Sequence, residues 1–489
     1  MQNIDILIII SRWIFLIALG YYVIVNFQWY HYKLSRVLLK HHKWKWHIFY
    51  FVLPVVYFIF IPENIYFYMG IYLYVIALII WGFKLSKRLV FTGRILRFFA
   101  LYFIFILFNE VLLFGEEISW SVRIVYLLPL FISIFLSSLI EKILLNRYKK
   151  LAYETLKNMP NLTIIAVTGS YGKTSLKNFL IQVLQDDFKV YATPRSINTL
   201  TGIIADINQN LSPLTDIYIV EAGARGVGDI KEIVELIKPQ IAVVGKIGPA
   251  HIEYFKTMEN IYQVKYEILQ SDRLERAYIY KENTKPEAFN IEFQGQVICF
   301  PQNISEINAD LEGTSFVLTE NGEKIQLETK VLGAFNVINI SAAIAVAKDL
   351  GVSKNQIIKQ VQKLERVNHR LSKIVVNDKI ILDDSYNGNL EGMLEAIRLA
   401  SLHTGRKVIV TPGLVESSKE ANVDLARAID KVFDIAIITG ELNSKILKEF
   451  IYRPQKIILK DKANMESVLK SATQAGDLIL FANDAPSYI

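Results

Sequence analysis

Ile164-Ile165-Ala166-Val167-Thr168-Gly169-Ser170-Tyr171-Gly172-Lys173-Thr174-Ser175 passes from a run of branched apolar residues, through a turn holding two glycines, into the helical pattern Leu176–Leu184. The apolar run has strand length and no polar alternation, as expected of a strand covered on both faces of a parallel sheet. A strand, a glycine-bearing turn and a helix N-terminus direct several backbone N–H groups and a positive dipole end at one point, which suits a phosphate chain. In that geometry Thr168 to Ser175 wrap the phosphates, Lys173 neutralises the β/γ end and the Thr174 hydroxyl is placed to ligate Mg²⁺. The strict GxxxxGK[ST] template is not met, because Val167 stands at its first glycine position. The bland alternative is a tight β-α turn with an exposed lysine.

Outward from this stretch the same grammar repeats. Ile217–Val220 and Ile241–Val244 are further apolar runs of strand length, and Ile380–Leu382, Val408–Val410, Ile435–Ile438, Lys456–Leu459 and Leu478–Phe481 follow. Strands separated by helical segments indicate βαβ units and parallel sheets covered on both faces. Two α/β domains are expected, a P-loop ATPase domain at 151–366 and a Rossmann-like domain at 367–489, while Lys281–Gln294 reads as a polar surface excursion. Open α/β sheets place ligands at the carboxyl ends of their strands. Glu221 ends one strand beside Gly223, where a second metal ligand would stand, and it reads equally as a solvated strand-end residue. His251 follows another strand in Ile247-Gly248-Pro249-Ala250-His251, and only its position on the same sheet edge lifts it above an ordinary surface histidine.

The chain has 489 residues, 52% apolar and 12% aromatic, so a large core can be buried and a disordered or fibrous chain is excluded. Its one cysteine, Cys299, excludes a disulfide scaffold and a cysteine-based zinc site. The net charge of +7 is unevenly spread: residues 1–150 hold 16 Lys and Arg against six Asp and Glu, and the remainder is slightly acidic. That excess lies between five apolar runs, Ile6–Trp29, Ile48–Ile61, Ile65–Phe83, Phe98–Phe114 and Val122–Ile140. The pattern is that of a membrane protein, not a nucleic-acid binder.

Crossing a hydrocarbon layer of ~30 Å takes about 20 apolar residues. Four runs approach this length, and the short second one suggests a hairpin turning at Pro62-Glu63-Asn64, or a span plus an interfacial piece. Lys33–Lys45 and Lys84–Arg97 carry the basic residues, so five spans with the amino end outside would place both segments, Lys142–Lys150 and everything after residue 150 in the cytoplasm. The first run lacks a basic leader and a small-residue cleavage pattern, and is read as a span rather than a cleaved signal. Arg12 lies near the outer end of its run, placed to snorkel, and Glu110 is close to an outer loop. An anchor is the simpler reading of this third, and a lipid-handling groove the sharper one.

The motifs Thr168–Ser175, Asn198–Gly202, Glu221–Ala224, Gly248–Glu253, Val264–Ile268, Gly333–Asn339, His369–Leu371 and Asp383–Asn389, in that order across residues 160–489, closely resemble the Mur ligases. Within that family the resemblance is best to the branch that adds D-alanyl-D-alanine to the peptidoglycan precursor. Val410–Glu416 and Phe481–Asp484 resemble a subgroup with membrane segments at the amino end. The resemblance implies ATP-dependent phosphorylation of a substrate carboxylate, then attack of an incoming amine on the acyl phosphate. It implies Lys173 and Thr174 on the phosphates and first Mg²⁺, Glu221 on the metals, His251 on a second Mg²⁺, and a carbamylated Lys265. Asn198 matches a position near the γ-phosphate, Asn336 and Asn339 match adenine-side residues, and Arg370 and Asp384 match nucleotide contacts from the last domain. Tyr386 and Asn387 continue that loop and are expected to orient the amine.

The implied partners are UDP-MurNAc-tripeptide or a lipid-linked equivalent, D-Ala-D-Ala, membrane lipids and a possible membrane protein, with no nucleic acid. The implied location is the cytoplasmic (inner) membrane. Two departures stand out: Lys246 replaces the family's usual asparagine two residues before Gly248, and residues 1–150 replace the domain that grips the UDP moiety. A Mur-like ligase acting on a lipid-linked glycan or poly-amino-acid is the alternative enzyme. A non-catalytic membrane scaffold is the alternative from another class.

Overall fold

The computed structural model describes residues 2–30, 32, 34–39, 44–85, 88–113, 119–195, 197–250, 252–291, 293, 295–386, 388–415 and 417–483. His251, Asn387, Glu416 and Asp484 lie outside the described residues. The chain divides into two compact units, Met1–Arg147 and Tyr148–Ile489.

The first unit is helical. Four stretches among the described residues are long and apolar enough to cross a membrane: Leu7–Trp29, Ile65–Phe83, Gly93–Leu112 and Trp120–Lys157. The second apolar run lies in the shorter helical stretch Lys45–Phe60. It meets the next helix at a turn where the Asn64 side chain accepts from the Phe67 N–H at 3.0 Å, a standard N-cap. The last run is not one helix. Trp120–Val125 ends and Leu128–Lys157 begins anew, because Pro129 has no N–H to donate to Val125 and is tolerated only in a first turn. Nor does Arg12 snorkel. It is buried and pairs with Glu110 at 2.9 Å, and the Trp13 indole N–H donates to the same carboxylate at 3.1 Å. Two opposite charges satisfied by one another explain how both are held among apolar side chains.

The second unit holds three sheets. Strands β1 (Thr163–Thr168), β2 (Val190–Ala192), β3 (Ile217–Glu221), β4 (Ile241–Val244), β5 (Arg276–Tyr280) and β6 (Gln296–Phe300) form a parallel sheet in the order β2-β3-β1-β4-β5-β6. After β1 the chain moves to one side, toward β2 and β3, and after β4 to the other. The carboxyl ends of β1 and β4 therefore flank the switch point where such sheets form a crevice. Helices Lys173–Leu184 and Phe335–Asp349 pack on this sheet, with Ile165, Val167, Leu180, Val183, Ile340 and Ala343 in one core.

Strands β7 (Ile304–Ala309), β8 (Thr314–Glu320) and β9 (Glu323–Thr329) make an antiparallel meander. The last sheet contains β10 (Ser372–Val376), β11 (Lys379–Asp384), β12 (Lys407–Thr411), β13 (Ile435–Thr439), β14 (Gln455–Leu459) and β15 (Leu478–Ala482), in the order β10-β11-β15-β12-β13-β14. Only β10 runs antiparallel. Inserting β15 between β11 and β12 brings the loops after Asp384, Thr411 and Ala482 together. Asn483 joins them, accepting from the Gly388 N–H at 3.1 Å and donating to the Gly413 carbonyl at 3.0 Å.

The continuous apolar runs all form strands at or within a residue or two of their expected bounds. Strands β2, β5, β6, β7, β8, β9 and β10 were not anticipated: β2 has three residues, β7 and β9 carry charged side chains on an exposed face, β8 has polar residues at both ends, and β5, β6 and β10 are five-residue runs that each include a polar or charged residue.

Candidate active site

The turn after β1 is shaped by its glycines. Gly172 has φ of +71°, and a Cβ there would lie 2.9 Å from the side-chain nitrogen of Asn339, so an L side chain would meet both backbone strain and a clash. The turn is strapped to the loop after β4. The Ser170 and Tyr171 N–H groups both donate to the Lys246 carbonyl, at 2.9 and 3.4 Å, and the Ser170 hydroxyl donates to the Gly248 carbonyl at 2.9 Å. Lys173 opens the following helix and donates to the Gly169 carbonyl at 3.0 Å. Burial holds its ammonium below the usual lysine range, against the pull of Glu221 and with the repulsion of Arg370.

Glu221, at the end of β3, is 2% exposed and gathers several of these elements. The Thr174 hydroxyl donates to Oε2 and the Asn198 amide to Oε1, both at 3.1 Å. The Lys177 ammonium stands 3.5 Å from Oε2 and donates to the Thr193 and Arg195 carbonyls at 2.6 Å. Sequence reasoning passed over Lys177. Its signal was its place one helical turn after Lys173, at i+4, on a stretch whose neighbours Leu176 and Leu180 are core residues.

Lys265 lies on helix Met258–Tyr266 and is 4% exposed. Burial, and then the repulsion of Lys173, push its amine down to about 7, against the attraction of Glu221, Glu267 and Asp229. Glu267 is itself held by the N–H groups of Gly228 and Lys231, at 2.7 and 3.0 Å, at the start of helix Asp229–Ile237. Lys173, Thr174, Asn198, Glu221 and Lys265 therefore form one electrostatic cluster. Among the described residues no group of three His, Cys, Asp or Glu side chains converges to hold a metal. The oxygens at hand are the Glu221 carboxylate, the Thr174 hydroxyl and the Asn198 carbonyl, hard donors of the kind Mg²⁺ takes.

A pocket opens beside this cluster, with Tyr171, Gly172 and Asn339 on one wall and Arg370, Asp384 and Glu391 on the other. Asn336 and Asn339 are buried on helix Phe335–Asp349. Asn336 donates to the Leu332 carbonyl at 2.8 Å, while its own carbonyl oxygen is buried without a partner among the described residues. Arg370 donates to the Tyr386 carbonyl at 2.8 Å, and its guanidinium lies 4.8 Å from the centre of the Tyr386 ring. Behind it, Asp383 pairs with His369 at 2.7 Å and accepts from the Ser385 hydroxyl at 2.6 Å, fixing the loop that follows β11.

Asp384 is 7% exposed, and burial raises its carboxyl from 3.8 to about 6, with Arg370 opposing the shift. The unfolded chain gives up this proton near 3.8 and the folded chain retains it to about 6. The resulting stability is complete below about 4 and is lost as pH rises through 6. Asp384→Asn, neutral at every pH, is therefore expected to be more stable than the parent chain at pH 7.5, by on the order of 3 kcal/mol. The difference should vanish at pH 4, as read by urea unfolding at the two pH values.

Residues 167–347 match the Mur ligase middle domain family. Over those residues the chain is a Mur ligase middle domain. The UDP-N-acetylmuramoyl-tripeptide--D-alanyl-D-alanine ligase of Bacillus subtilis is 27% identical over 333 residues, covering 65% of this chain and 72% of that protein. The enzyme of the same name from Buchnera aphidicola (strain Bp) is 26% identical over 329 residues, covering 63% and 71%. Among solved structures, MurF from Acinetobacter baumannii superposes with a TM-score of 0.61 at 23% identity, covering 69% of this chain and 77% of that one. MurF from Thermotoga maritima, solved in complex with ADP, gives 0.60 at 24%, covering 70% and 80%. Over the stretch these structures cover, the chain thus shares its fold with MurF.

Proposed function

We propose that this chain is a membrane-anchored, ATP-dependent amide ligase of MurF type that joins D-Ala-D-Ala to UDP-MurNAc-tripeptide. The observation that carries the reading is the convergence of Lys173, Thr174, Asn198, Glu221 and Lys265 at one sheet edge, in a chain whose curated relatives bear that activity in their names.

Phosphoryl transfer to a carboxylate brings two anions together, so cations and exact placement must supply most of the catalysis. In this reading the N–H groups of the glycine turn and Lys173 hold the β/γ-phosphates. Thr174 and Glu221 would hold Mg²⁺, with His251 at a second ion. Bound there, Mg²⁺ would supply charge neutralisation for the triphosphate. Lys265 takes a carbamate, favoured by an amine that burial keeps partly neutral near pH 7. Asn336 presents its unpartnered carbonyl oxygen to the adenine amino group, with Asn339 beside it. Arg370 and Asp384 close on the nucleotide from the last domain, and Tyr386 and Asn387 orient the incoming amine. The γ-phosphoryl group passes to the substrate carboxylate with ADP as the leaving group, and the amine then attacks the acyl phosphate, giving the amide and releasing phosphate.

Four long apolar helices support a multi-pass anchor; with the shorter stretch Lys45–Phe60 as a fifth span, the basic segments Lys33–Lys45 and Lys84–Arg97 and the ligase core fall on one side, the cytoplasm. The domain organisation is 1–150 membrane, 151–366 ATP-binding and 367–489 carboxyl-terminal. Because a helical unit occupies residues 1–147, a lipid-linked form of the precursor is the second acceptor to be tried.

The test is phosphate release by the full chain in detergent. Release is expected only when ATP, D-Ala-D-Ala and UDP-MurNAc-tripeptide are all present. Turnover with a lipid-linked acceptor alone would move the reading to the second acceptor, and none with either would sink it.

A further inference from the structure

The loop after β4 carries a lysine whose backbone and side chain serve different domains. Its carbonyl accepts from Ser170 and Tyr171. Asn283 holds the residues on either side, accepting from the Ile247 N–H and donating to the Gly245 carbonyl, both at 3.0 Å. The Cα of Lys246 is thus fixed to the glycine turn. Its ammonium reaches across the pocket mouth to pair with Glu391, in the first turn of helix Leu390–Ser401. Glu391 is well placed to receive it. The helix is capped by Asn389, which accepts from the Gly392 N–H at 3.0 Å, and a carboxylate in a first turn is favoured by the helix dipole.

Farther along, the same helix is tied to chain near the domain boundary. Glu395 accepts from the Ala334 N–H at 3.0 Å, and Arg398 donates to the Ala309 carbonyl at 2.8 Å. Among the described residues two ion pairs join residues 151–366 to 367–483: Lys373–Glu312 at 2.7 Å, beside the meander, and Lys246–Glu391, which is the one at the pocket mouth. A rotation about the Ala309 and Ala334 contacts would open the pocket and break it.

We propose that Lys246 and Glu391 are a positioning pair, a latch that sets Arg370 and Asp384 over the glycine turn so that the nucleotide meets a preassembled cleft. The proposal rests on the nucleotide-binding reading of the pocket. Both side chains are partly exposed, so the latch is weak by design, in the range of a few-fold in the closed population.

The experiment measures binding of Mg²⁺ with a non-hydrolysable ATP analogue to the full chain in detergent, together with KM for ATP. Lys246→Met and Glu391→Gln should each weaken binding by about two- to fivefold and by similar factors, since each breaks the same pair. The reversed pair, Lys246→Glu with Glu391→Lys, should regain much of the loss, and the differences should shrink in high salt. A Lys246 that instead contacts phosphate directly would make Glu391→Gln bind more tightly. That result, or a reversed pair no better than the single variants, overturns the latch. An unsubstituted chain that binds no nucleotide would instead remove the functional reading, and the latch with it.

Discussion

Lys265→Ala is expected to lower phosphate release by on the order of a thousandfold, the scale seen when a preorganised charged group is taken from a reaction centre. Addition of a short carboxylate such as formate or acetate should restore part of it. The expectation follows from placement. Lys265 is buried beside Lys173 and Glu221, and as a plain cation it would add repulsion to a site already holding Lys173, Lys177 and Arg370. As a carbamate it becomes an anion within reach of a metal, and a small anion can occupy the space that alanine leaves. Nucleotide binding should fall much less than turnover. Full activity in Lys265→Ala would show that the amine has no part in the reaction.

The second large effect is expected at Lys173. Lys173→Met keeps much of the side-chain volume and removes the charge at the start of helix Lys173–Leu184. Turnover should fall by about a hundredfold or more, because the charge acts where negative charge develops in transfer. Since Lys173 also depresses the Lys265 amine, its loss should let that amine rise from about 7. The activity profile of the residual enzyme should then shift toward higher pH. A Lys173→Met chain with undiminished turnover would leave the scaffold reading standing.

The parts of this molecule that could be read from the sequence are those where one residue's neighbours in the chain are also its neighbours in space. The strand-turn-helix at 164–184 is such a case, because apolar continuity, glycine placement and helical period all point one way. Glu221 was legible as a strand end, and the structure adds that Thr174, Asn198 and Lys177 converge on it. Lys177 was not legible, since a lysine on an amphipathic helix ordinarily faces water, and it takes the Thr193 and Arg195 carbonyls, brought up by β2 and its loop, together with the Glu221 carboxylate to make burial tolerable. Lys246 could be seen as a departure from the family pattern, but Glu391 lies 145 residues away and no local signal links them. The meander β7–β9 was missed because its exposed faces are polar and its strands lack long apolar runs. Arg12 was assigned to the interface on the strength of its position, whereas its partner Glu110 sits on another helix.

The two lysines on helix Lys173–Leu184 have a consequence for how this core can change over evolutionary time. One serves the glycine turn and the other the carboxylate at the end of β3, and a single rigid rod fixes their separation at one turn. An insertion or deletion of one residue between them would swing the second by about 100° around the axis and carry it away from Glu221. Substitutions can be tried there one at a time, but length cannot drift, so related chains should keep this segment free of gaps even where their side chains diverge.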